Sequence, residues 1–143
     1  MRKGFTLLEL IVVIIILGVL ATLGLTQYGR MVERSRGAEA RAILGNLRKF
    51  AAGYYMEWGS TTGMPANLLG LGTQQDQVPT VCRGSHYFSY GIAGNADPEI
   101  GFGATRCITG SAGKPPNSSV AFRLALTTNF LTGADTWTTD AGY

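Results

Sequence analysis

One carboxylate stands where carboxylates are rare. Glu9 sits near the start of an apolar run that continues from Leu10 to Ala21 without another charge. At mid-membrane such a charge costs about 2.5–3.5 kcal/mol on insertion scales, and less near a helix end. Glu9 therefore asks for a partner. Elsewhere the side chains that could do chemistry are sparse. His86 is the single histidine and lies in an aromatic run beside Tyr87 and Phe88. A half-exposed strand histidine is expected there, not the base of a Ser-His-Asp relay. Cys82 and Cys107 are 25 positions apart, and with no CxxC pair and one histidine they make a poor metal site. Asp97 and Glu99 flank Pro98, and Asp135 and Asp140 lie near the C-terminus. Neither pair has the density of a calcium loop. Gly101-Phe102-Gly103 is a lone GxG outside any strand-loop-helix context, so no nucleotide site follows. Asn117-Ser118-Ser119 matches a glycosylation sequon and marks a segment expected to be exposed. No catalytic, cofactor-binding or metal-binding residue is assigned, and the chain is read as not an enzyme.

The elements that must position these residues begin with a membrane-length helix. Phe5 to Leu25 is 21 residues of mostly Leu, Ile and Val without proline. As a helix it spans roughly 32 Å, close to the hydrocarbon core of a bilayer. Four readings compete. The run could be a plain anchor, a secretory signal with its small-residue site at Val19-Leu20-Ala21, a buried core helix, or a signal cut before the apolar run. Glu9 discriminates, because a signal core avoids charge and a plain anchor gains nothing from one.

The residues before and around Glu9 give the fourth reading its form. Arg2-Lys3 is a short basic tip, followed by Gly4-Phe5-Thr6-Leu7-Leu8-Glu9. This resembles the processing site of type IV prepilins and type II secretion pseudopilins. Gly18 and Tyr28 also fall where many members carry glycine and tyrosine. The resemblance covers about the first 28 residues and rests on the motif there. It implies cleavage between Gly4 and Phe5 by a prepilin peptidase, N-methylation of Phe5, and an assembly role for Glu9. The Glu9 carboxylate of one subunit would neutralise the Phe5 amine of a neighbour, since two compensating charges in an apolar medium cost far less than two orphans. Many members carry proline where this chain has Thr26, and the first proline here is Pro65. Any bend or melted turn is therefore expected at Gly24 and Gly29.

Beyond the membrane segment the helix is expected to continue to about Trp58. Ala40, Leu44, Leu47, Ala51, Tyr54 and Trp58 share one helical face, widened by Ile43 and Phe50. Arg30, Arg34, Arg36 and Arg41 interleave with Glu33 and Glu39 and read as a solvated, partly paired face. The whole chain carries a net charge of +3. Removing Arg2 and Lys3 leaves ten basic against nine acidic residues, about +1, so no specific nucleic acid partner is predicted. Residues 59–80 read as loop, with a helical turn within Met64–Leu71 and Leu68, Leu69 and Leu71 packing inward. Strands are expected over His86–Ile92, Phe102–Thr109 and Val120–Thr127, with a turn at Gly94–Glu99. Phe130, Leu131 and Trp137 are read as packing at a sheet edge.

The expected architecture is α+β and pilin-like, a long N-terminal helix packed on a small antiparallel sheet. Its divisions are a leader at 1–4, a membrane or filament-core helix at 5–25, an amphipathic continuation at 26–58, and a globular head at 59–143. The location implied is a cell envelope, with the chain single-pass in a bacterial inner membrane, N-terminus cytoplasmic, before export into a pilus or periplasmic pseudopilus. An oxidising location of that kind predicts a Cys82–Cys107 disulfide, with two free structural thiols as the alternative. Implied partners are further copies of the chain or other pilins, the prepilin peptidase, the inner-membrane assembly machinery and the bilayer. No cofactor is expected, with calcium as the one left open. The function expected is a type IV pilus-like filament subunit. The alternatives are a type II secretion pseudopilin and a single-pass envelope protein that never assembles.

Overall fold

From Leu7 onward nothing interrupts helical backbone geometry for 52 residues, because the first proline comes later and strong helix formers dominate. In the computed structural model, which describes residues 6–140, this stretch is one α-helix, α1 (Leu7–Trp58). It is roughly 78 Å long at 1.5 Å per residue. It runs without a break through Gly24, Thr26 and Gly29. The hydroxyls of Thr22 and Thr26 donate back to the carbonyls of Gly18 (2.8 Å) and Leu23 (2.9 Å), which satisfies them inside an apolar segment. At its end Gly59 adopts φ 69°, ψ 8°, and its N–H donates to the Tyr55 carbonyl at 2.8 Å. That left-handed cap favours glycine, because side-chain-bearing residues rarely adopt a positive φ.

The second half of α1 buries Gly37, Ala40, Leu44, Leu47 and Ala51. These carry the central part of the face read from periodicity. The flanks differ from expectation. Phe50 is 60% exposed and Trp58 is 67% exposed. Phe50 lies about 100° around the helix from Ala51, and the apolar support ends near Tyr54. Tyr54 is half-buried and stacks on Trp58 at 6.0 Å, and Tyr55 stacks on Phe130 at 5.2 Å.

What α1 covers is a four-stranded antiparallel meander. Its strands are β3 (Phe88–Ala96), β4 (Glu99–Arg106), β5 (Arg123–Asn129) and β6 (Asp135–Thr139), in that spatial order. A separate two-residue parallel pair, β1 (Leu71–Gly72) with β2 (Val78–Pro79), and a short 3-10 turn at Ala66–Leu69 occupy the connection expected to be loop. Alternation aims Phe88, Tyr90, Ile100, Phe102, Ala104, Leu124 and Leu126 at the helix, all buried. Together with Ala40, Leu44, Leu47 and Ala51 they form one core, closed at the end by Met64, Leu69 and Leu71. Leu68 is exposed, contrary to expectation, because the turn points it away from Leu69.

Several boundaries differ from the sequence reading. The β3–β4 strands run to Ala96 and resume at Glu99, leaving only Asp97-Pro98 as the turn. Backbone pairing extends past the last residue that gains from side-chain burial, which composition does not report. His86 precedes β3 and is not in a strand. The strand after Pro116 begins at Arg123, with Val120 exposed, and its inward set ends on Thr128. The stretch with least pattern, Asp135–Thr139, is a full strand. In sum the fold is α+β, one long apolar helix packed on a small antiparallel sheet.

Candidate functional site

Glu9 sits in the first turn of α1, held by the residue that starts the helix. Thr6 is extended (φ −79°, ψ 150°) and acts as N-cap. Its hydroxyl accepts the Glu9 N–H at 3.3 Å, while its own N–H and hydroxyl donate to Glu9 Oε2 at 2.9 and 3.0 Å. Thr6-Leu7-Leu8-Glu9 is thus a capping box, a T-x-x-E signal that the sequence carried and the reading above did not use. The arrangement occupies one carboxylate oxygen locally, Oε2, and orients the group at the tip of the apolar helix. Gly4 and Phe5, the proposed cleavage and methylation residues, lie outside the described residues.

Around that tip, α1 presents apolar side chains on all sides. Its N-terminal part is long and apolar enough to cross a membrane, and none of that window is buried within the chain. Leu7, Leu10, Ile14, Leu17 and Leu20 are each exposed. A contiguous apolar surface of this extent is far beyond what a soluble monomer leaves in water.

The strongest ionic feature is one sequence reasoning missed. Arg106, at the end of β4, is 1% exposed. Its guanidinium contacts both oxygens of Glu33 on α1, with Nε–Oε2 at 3.2 Å and Nη2–Oε1 at 3.3 Å. It also donates to the carbonyls of Tyr87 (2.9 Å) and Pro116 (2.7 Å). Arg36 binds the same Glu33 carboxylate. The Tyr87 ring sits between Arg36 (5.0 Å), Arg106 (5.2 Å) and Lys114 (4.8 Å). Burial pulls the Glu33 carboxyl upward, but the hydrogen bonds and charges of Arg106 and Arg36 outweigh it and hold the group below the ordinary range. One signal pointed to Arg106. It shares strand parity with Ile100, Phe102 and Ala104, so it had to face inward and find a counter-charge.

Next in chain to Arg106, Cys107 is bonded to Cys82, with Cα atoms 5.8 Å apart. Ion pair and disulfide together tie α1, the start of β3 and the loop after β4 into one corner. The bond closes a 25-residue separation, worth about 3 kcal/mol in a chain-entropy account.

The acidic pairs weighed for calcium are engaged within the chain. Asp97 Oδ1 accepts from the Thr61 N–H at 2.7 Å and its hydroxyl at 3.2 Å. The Thr61 N–H holds the Asp97 carboxyl below its usual range against the opposing desolvation, with lesser help from the Ser60 and Thr61 hydroxyls. Glu99 accepts from Asn129 at 2.9 Å. Asp135 Oδ1 accepts from Arg48 (2.7 Å) and Thr128 (2.9 Å), and Asp140 from the Arg123 N–H (3.0 Å). Among the described residues no group of three or more metal-ligating side chains gathers. His86 Nδ1 lies 2.8 Å from Ser85 Oγ. Gly101-Phe102-Gly103 is the middle of β4, with Phe102 in the core. Asn117 departs from expectation. Its Oδ1 is buried and its Nδ2 donates to the Ser111 carbonyl at 3.2 Å, because the loop folds back on the Cys107 corner. The sequon asparagine therefore faces inward.

Comparison with known proteins places this N-terminal arrangement. Residues 1–25 match the family model described as the prokaryotic N-terminal methylation motif. The chain is 41% identical over 58 residues to the fimbrial protein EcpC of Eikenella corrodens, covering 41% of this chain and 38% of that relative. It is 38% identical over 48 residues to the type IV major fimbrial protein FimA of Dichelobacter nodosus, covering 34% and 31%. It is 35% identical over 63 residues to a fimbrial protein of Neisseria meningitidis serogroup B, covering 44% and 37%. The chain thus spans less than two fifths of the length of the curated relatives it matches. No solved structure gives a significant match.

Proposed function

We infer from the N-terminal methylation motif over residues 1–25 and from the similarity to fimbrial proteins that the chain is a type IV pilin, a structural subunit of a type IV pilus-like filament. The observation that carries the reading is the wholly unburied apolar half of α1 beneath a folded head. A helix of that kind is stable in two surroundings only, a bilayer or a bundle of similar helices. A subunit that moves from the first to the second keeps its apolar surface out of water throughout.

In this reading a prepilin peptidase cuts between Gly4 and Phe5 and the new Phe5 amine is methylated. The membrane segment is 5–25, the amphipathic spine 26–58 and the head 59–143. Glu9 faces the Phe5 amine of a neighbouring copy. The capping box supports this role, because Thr6 occupies Oε2 and leaves the carboxylate at the helix tip. The precursor is anchored in the inner membrane with its N-terminus cytoplasmic and the filament is extracellular. The named relatives are fimbrial proteins, which favours a pilus over a secretion pseudopilus.

The test is Glu9→Ala in the full chain, with membrane fractionation and electron microscopy of sheared filaments. The expected outcome is unchanged membrane insertion and loss of filaments. Normal filament yield from that variant would remove Glu9 from assembly.

A further inference from the structure

We propose that Arg30 and Arg34 form a phosphate-binding site for the headgroups of anionic phospholipids, in the leaflet from which α1 emerges. This goes beyond the filament reading, because it concerns the chain while it is in a bilayer and rests only on the membrane-length segment.

The depth of the site follows from the rise of one uninterrupted helix. No charge falls between Glu9 and Arg30, and the apolar run ends at Leu25. Tyr28 follows, 69% exposed, at the depth where aromatic rings sit in a membrane interface. Arg30 lies roughly 7.5 Å beyond Leu25 along the axis. The headgroup layer is about 5–7.5 Å deep on each side of the hydrocarbon core, so Arg30 stands at its outer limit. Arg34 is one turn, roughly 6 Å, further out. Both side chains leave the helix tilted toward its N-terminus, which here is toward the bilayer. Their apolar stems can lie along the helix while each guanidinium reaches down to the headgroups. Arg30 and Arg34 are both exposed, and the residues that α1 buries begin only at Gly37.

Charge complementarity selects the occupant. Arg30, Arg34 and Arg41 share one stripe, within about 40° of each other at 100° per residue. Glu39 lies on the far side of the helix, about 180° from Arg30. Glu33 is closer, but Arg36 and Arg106 hold its carboxylate. Among the described residues neither Arg30 nor Arg34 makes an ion pair within the chain. Two unanswered guanidiniums at headgroup depth fit phosphate, whose oxygens accept paired N–H bonds from each fork. A zwitterionic lipid answers its own phosphate with its amine, so a net-anionic lipid is the better match. Arg41 has the same direction and is also exposed. It stands roughly 24 Å beyond Leu25, more than a Debye length of ~10 Å above the headgroups at 0.1 M salt. It lies outside the site and serves as its internal control. The contact fixes the depth of α1 in the bilayer, and it is given up when the helix leaves.

The experiment reconstitutes the full chain in phosphatidylcholine vesicles containing about one fifth phosphatidylglycerol. The chain is extracted gently in detergent at low salt, and the lipids retained on it are counted by mass spectrometry. Wild type is expected to enrich phosphatidylglycerol over phosphatidylcholine about fivefold relative to the vesicles. Arg30→Gln combined with Arg34→Gln is expected to bring that ratio to about one, and Arg41→Gln to leave it unchanged. Extraction at about 1 M salt is expected to lower the wild-type enrichment at least twofold, because screening then acts within ~3 Å. Membrane fractionation checks that each variant inserts. No enrichment by wild type, full enrichment by the double variant, or an equal loss in Arg41→Gln would overturn the site. The readout needs no assembly. Its failure therefore leaves the filament reading standing, and loss of the filament reading leaves the lipid site standing.

Discussion

Arg106 shows how much of this molecule depends on a single side chain. A buried guanidinium is tolerable only if its charge and donors are all answered, and here one carboxylate and three backbone carbonyls answer them. Removing it takes a donor from each of those carbonyls and the sheet-side cation from Glu33. Arg106→Ala is therefore expected to lower the stability of the full chain in detergent by about 3 kcal/mol. Arg106→Lys is expected to recover only a minor part, because an ammonium cannot span both Glu33 oxygens and the carbonyls. Denaturant titration of the full-length variants measures this, and a loss below about 1 kcal/mol for the alanine variant would contradict the account. Glu9 makes the complementary point. Its side chain is exposed in the single subunit and, among the described residues, is held by Thr6. In the proposed filament its value lies in the Phe5 amine it would meet after assembly.

Among the elements, the junction between the end of α1 and the β3–β4 turn depends on Asp97. Its carboxylate holds Thr61, which is fully buried, while Asn95 Nδ2 donates to the Thr61 carbonyl at 2.8 Å. The Asp97 and Glu33 carboxyls are both depressed in the fold, from ordinary values of 3.8 and 4.5. A depressed acid stabilises the fold above its unfolded pKa, and that stability is lost as pH falls through the folded value. The head is therefore expected to hold its stability down to about pH 5 and lose it progressively below about pH 4.5. Asp97→Asn and Glu33→Gln should each flatten that acid limb. Melting curves between pH 6 and 3 check this, and an unchanged slope in both variants would refute it.

The elements also show what the sequence could and could not tell. The spine was legible because Ala40, Leu44, Leu47 and Ala51 repeat at helical spacing and are buried as that spacing demands. Strand β6 was illegible because Asp-Thr-Trp-Thr-Thr has no apolar alternation, all five residues are exposed, and backbone pairing to β5 alone defines it. The turn was placed too wide for the same reason. Arg106 was half legible, since strand parity turned it inward but nothing local named Glu33, 73 positions away, as its partner.

At the scale of the whole molecule, the proposed filament role rests on how the two halves of one helix are used. A folded head is built on the second half of α1, and among the described residues nothing buries the apolar window of the first half. The head's corners, fixed by Cys82–Cys107 and Glu33–Arg106, keep α1 rigidly tied to the sheet. The most direct test of the account is the mass of the mature N-terminus in filaments sheared from cells that make this chain. The account predicts a subunit that begins at Phe5 with a methylated amine. A chain that begins at Met1 or at Thr22 would contradict it.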